Sequence, residues 1–207
     1  MAGSNTEYMR GLDRWADQAR GFLFSAAGND VIGQDISGQP VLTKLLKQYQ
    51  AGQSAAWHIN RDELDATVGR IRTGYSKVIT TIQSNRRFKT LPIFVHGYDY
   101  PFPYPTDDND NRNPIYAAQD EYLGKPFKDL GFPADLLRRD IVKIMIDALY
   151  TLMYELSAQY SHVHVVDARG SMPTLDLWAD EIHGTKDGFA AVANRFRAVI
   201  ANTITPQ

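Results

Sequence analysis

In the stretch LWADEIHGT, residues 177 to 185, Asp180 and His183 stand three positions apart. At that spacing one helical turn can bring a carboxylate to an imidazole, fix the ring's tautomer and support the imidazolium formed during proton transfer. This is the acid–base half of a hydrolytic triad, although a helix-capping aspartate beside a surface histidine would have the same spacing. Far upstream, the apolar run FLFSAA ends in Gly28-Asn29-Asp30. Those residue types favour turns.

Other residues offer less. His96 in FVHGYDYP stands at a strand end where Tyr98, Tyr100 and Phe102 could line a pocket; a satisfied turn histidine is the plainer reading, and Asp99 has the same status. His162 and His164 share a strand face but have no evident third metal ligand. Asp107, Asn109 and Asn111 alternate as in a calcium loop, yet the Gly and Glu that such a loop requires are absent. That stretch reads as a solvated loop, and Arg86-Arg87 and Arg138-Arg139 read as exposed charges. No metal or cofactor is expected.

These residues need elements to hold them. Apolar residues at three- and four-residue spacing predict helices over 5–20, 41–51, 61–84 and 134–159, with a last helix from about Lys186 to Ile204. The apolar runs at 22–28, around 93–96 and over 162–170 predict strands, the first of them buried. Alternating helices and strands favour a parallel sheet with helices on both faces, whose site lies at the strands' carboxyl ends. GND, HGYDYP and DARG all occupy such ends. The Pro- and Asp-rich stretch at about 101–114 should be a long surface loop.

The chain has 207 residues, enough for one domain with a real core. With 22 basic and 24 acidic residues and a net charge of -2, it presents no broad positive field for nucleic acid. The absence of cysteine excludes disulfides and thiolate chemistry. No stretch approaches the roughly 20 apolar residues of a membrane span, so the chain, if complete, is expected to be soluble and cytoplasmic.

Read together, AAGNDVIG and WADEIHGT resemble the third and fifth sequence blocks of the SGNH, or GDSL-like, hydrolases, with Ala27 where that family usually has Gly. The resemblance implies a flavodoxin-like three-layer α/β sandwich over 1–207, with 41–84 as a helical insert. It also implies a serine esterase or acylhydrolase acting on a small-molecule, lipid or carbohydrate acyl ester without a cofactor. Asp180 and His183 would be the acid–base pair, and Asn29 an oxyanion donor. AGSNTEYM looks like the second block, which would make the Gly3 N–H another donor. The family's Gly-Asp-Ser block is not present, so the first strand and nucleophile are expected to precede Met1 in a longer protein, to have been lost, or to be replaced by another serine, of which Ser4 is the obvious substitute. A missing strand would expose sheet edges and invite homo-oligomers. The alternative is a non-catalytic binding protein that keeps the fold.

Overall fold

The computed structural model describes residues 7–112 and 122–204, the side chain of Asn29 excepted. Three parallel strands, β1 (Phe22–Ser25), β2 (Ile93–His96) and β3 (Val163–Val166), pair in the order β1-β2-β3. Their register sets Ser25 beside His96 and His96 beside Val166, so the strands end level. Around them lie α1 (Glu7–Arg14), α2 (Gly28–Ile32), α3 (Val41–Leu45), α4 (Arg61–Ser84), α5 (Gly124–Asp129), α6 (Leu136–Gln159) and α7 (Lys186–Thr203). This is a mixed α/β chain with a parallel sheet flanked by helices.

Alternation along the strands assigns the two faces. Ile93, Val95 and Val163 enter one core with Ile71, Val78 and Ile82 of α4 and Leu152 and Leu156 of α6. Phe94 and His96 point the other way, where the His96 ring meets Phe196 of α7 edge-on at 4.9 Å. A second core joins Leu42 and Leu45 of α3, Leu64 of α4, Phe127 of α5 and Ile141 and Met145 of α6. Both long helices fall where apolar periodicity predicts. Asp135 caps α6 by accepting from the Leu137 N–H at 2.9 Å, and Thr185 caps α7 by accepting from Gly188 N–H.

Several elements are shorter than their patterns. The first helix ends at Arg14, short of Arg20, and its continuation Trp15 is 54% exposed. The helix expected over 41–51 stops at Leu45 because its next backbone groups pair across the chain: Leu46 bridges Ile59, and Lys47 N–H donates to His58 O at 2.7 Å. β1 is not the buried strand expected. Among the described residues it is hydrogen-bonded to β2 alone, and Leu23, on the α7 face, is 55% exposed.

Two charged stretches also differ from expectation. Arg138 is buried, its Nη2 donating to Phe132 O at 2.7 Å, while Arg139 is partly buried with its guanidinium 3.5 Å from the Phe102 ring centre. Within the supposedly solvated DDNDN loop, Asp110 and Arg112 form a buried ion pair at 2.6 Å. Arg112 has acceptors that only folding gathers: Nη1 reaches Phe102 O at 2.8 Å and Asp180 O at 2.9 Å.

Candidate functional site

The level strand ends lead directly into the segments that carry the candidate residues. After β3 the chain makes a short 3-10 turn at Leu175–Leu177, and the Trp178 indole N–H anchors it to Met172 O at 3.0 Å. Trp178 then bridges Gly184, closing a tight loop over 179–183. Inside it, Asp180 Oδ1 accepts from the N–H groups of Ile182 at 2.8 Å and His183 at 2.6 Å. Asp180 Oδ2 lies 2.7 Å from His183 Nδ1. The three-residue spacing therefore works through a side-chain-stapled loop and not a helical turn. The Asp180 side chain is 12% exposed and that of His183 57%, so an oriented carboxylate holds an accessible ring. Such a pair can take a proton at Nε2 while Nδ1–H remains bonded to the carboxylate.

Glu181, between them, has no surface exposed. Its Oε1 accepts from Tyr104 N–H at 2.6 Å and Gly124 N–H at 2.5 Å, and its Oε2 from Leu123 N–H at 3.0 Å. Gly124 is required, because a Cβ there would fall 1.8 Å from Tyr104 O and 2.8 Å from Glu181 Oε1. Burial pushes the Glu181 carboxyl up to about 7, against the pull of the three amides and of Arg112. Glu181 and Arg112 thus fasten the Asp180–His183 loop to residues 102–112 and 123–124. Asp99 makes the matching tie between strand ends, accepting from Tyr100 N–H at 2.7 Å, Gly170 N–H at 2.6 Å and Met172 N–H.

At the end of β1, Ala27 adopts φ 82°, a left-handed conformation that costs a side-chain-bearing residue about 1–2 kcal/mol. The GND segment then forms the short helix α2, with Asp30 N–H donating to Ala27 O at 3.1 Å, in place of a simple turn. Gly28 is needed because a Cβ there would lie 2.5 Å from the Tyr98 hydroxyl. The Asn29 backbone belongs to this helix, while its side chain, like Gly3 and Ser4, falls outside the described residues.

A cavity of about 400 Å³ brings several of these residues together: Ser25, Gly28, His96, Tyr98, Asp99 and His183 all line it. Burial lowers the His96 pKa, and its Nδ1 lies 2.6 Å from Gly97 O. Tyr100 is not part of the lining. Its hydroxyl donates to Asp147 Oδ1 at 2.6 Å, and burial together with that carboxylate raises its pKa to about 12. Among the described residues no group of three or more His, Asp or Glu could hold a metal, and no helix is long and apolar enough to cross a membrane.

Sequence reasoning missed Glu181, Arg112 and Ser25. Glu181 sits inside the recognised DEIH string, but a carboxylate next to Asp180 reads as solvated. No family model matches the chain, and no curated protein or solved structure matches it significantly.

Proposed function

We propose that the chain is an SGNH- or GDSL-like serine esterase or acylhydrolase on a flavodoxin-like sandwich. The observation that carries this reading is the Asp180–His183 pair, bonded at 2.7 Å, with His183 lining a cavity at the carboxyl ends of a parallel sheet. The nucleophile is assigned to a serine through the resemblance. Its hydroxyl proton passes to His183 Nε2 as its oxygen attacks the acyl carbonyl. Asp180 holds the resulting imidazolium, and His183 then returns the proton to the departing alkoxide, leaving an acyl-enzyme. Water repeats the sequence and releases the acid. The Asn29 amide and Gly3 N–H are assigned to the oxyanion through the resemblance.

A second reading, a binding protein that keeps the fold without the chemistry, draws support from one observation. Among the described residues, no hydroxyl hydrogen-bonds the His183 ring, whose recorded partner is Asp180. Hydrolysis of short-chain p-nitrophenyl esters separates the two. The 207-residue chain and an in-frame N-terminally extended form would be assayed side by side. The esterase reading expects negligible turnover from the 207-residue chain and hydrolysis by the extended form that His183→Ala removes. Robust hydrolysis by the 207-residue chain that Ser4→Ala abolishes would relocate the nucleophile to Ser4. No turnover in either form favours the binding protein.

A further inference from the structure

The cavity beside His183 is chemically lopsided. At one end His183 and Phe189 are exposed and form a mouth, while Leu42, Leu64, Ile71, Val142, Met145 and Leu149 form a buried floor. These floor residues come from α3 and from α4 and α6, the two helices that contribute to both cores. Among the described residues no lysine or arginine lines the space. A phosphate or carboxylate carried to the floor would find no cation there, so a charged head stays at the mouth.

The polar side chains are few and largely committed. The Asp99 carboxylate is taken up by the amides of Tyr100, Gly170 and Met172, and the Thr67 hydroxyl accepts from Arg70 Nη2 at 2.8 Å. Buried sugar hydroxyls each require a hydrogen-bond partner, and this wall does not supply a row of them. A saturated chain requires none and gains from every methylene it removes from water. The volume of about 400 Å³ lies within the range of small-molecule sites.

Resting on the esterase reading, we infer that the site takes a linear aliphatic acyl chain, which runs from its carbonyl at His183 inward between α4 and α6. The narrowing is from acyl esters in general to those whose acid is an alkyl chain. Sugars and charged groups belong to the alcohol side, outside the cavity.

Calorimetric titration of the 207-residue chain with free carboxylates from butyrate to dodecanoate tests this without any turnover. Each added methylene is expected to tighten binding roughly fourfold until the cavity is full. Val68→Trp, which fills the cavity wall, is expected to weaken dodecanoate at least tenfold and leave butyrate unchanged. The untouched chain's length series stands even if that variant misfolds. A dissociation constant that is flat along the series, or a xylotriose probe that binds as tightly as dodecanoate, overturns the inference. Length-dependent binding with no hydrolysis by any form keeps the alkyl site and removes the esterase reading. Hydrolysis indifferent to acyl length does the reverse.

Discussion

Removing the Glu181 carboxylate tests how the dyad loop is held in place. Glu181→Ala leaves the buried N–H groups of Tyr104, Leu123 and Gly124 without their acceptor. An unsatisfied buried donor costs about 1–3 kcal/mol, and water entering the vacated space holds the total near the lower bound, about 3–4 kcal/mol. Glu181→Gln is milder. Its amide oxygen can keep the bonds to Tyr104 and Gly124, while its NH₂ faces the Leu123 N–H as donor against donor, for about 1–2 kcal/mol. Urea denaturation at pH 5.5 should therefore rank wild type above Gln and Gln above Ala. The gap to Gln should narrow at pH 8. With its folded-state pKa raised to about 7, Glu181 contributes stability that is full below its ordinary value of 4.5 and lost as pH rises through about 7. An Ala variant within 1 kcal/mol of wild type, or a Gln variant as damaged as Ala, would refute the reasoning.

Other expected outcomes follow from single contacts. Gly28→Ala forces a Cβ against the Tyr98 hydroxyl and should cost about 1–3 kcal/mol, with much of the loss recovered in a Gly28→Ala/Tyr98→Phe double variant, as read by thermal melts. Arg112→Met leaves the buried Asp110 carboxylate without its cation, and urea titration should show a loss of about 3–5 kcal/mol. In the hydrolytic form, Asp180→Asn removes the carboxylate from His183 and should lower ester turnover by roughly 10³- to 10⁴-fold with little change in KM.

Much of the scaffold is legible in the sequence because its signals are local. The stripe Leu137, Ile141, Ile144, Met145, Ala148, Leu152 and Leu156 runs through α6, where Ile141, Met145, Leu152 and Leu156 are buried and the other three partly so, and the run Ile93, Phe94 and Val95 defines a buried β2. The failures arise where distant groups compete for the backbone. Lys47 looks helical until His58 O takes its N–H, and the GND string looks like a turn until Ala27 absorbs the reversal and lets α2 begin. Charges mislead for the same reason. Arg138, and Asp110 and Arg112 in the expected surface loop, read as solvated, and Glu181 passes unnoticed, because their partners include carbonyls and amides that carry no sequence signature. At the site, the three-residue spacing is close enough for Asp180 to meet His183, because that contact is local. The ties that orient their loop, from Glu181 to Leu123 and from Asp99 to Gly170, span distances no motif encodes.

Covalent labelling tests most directly whether the Asp180–His183 pair activates a serine. The 207-residue chain and its extended form, each as wild type and as His183→Ala, would be treated with a fluorophosphonate, and the modified residue mapped by mass spectrometry. The account predicts one serine labelled in the hydrolytic form, at a rate that falls roughly 10³-fold or more without His183. Labelling at equal rates with and without His183, or no labelled serine in any form, would contradict it.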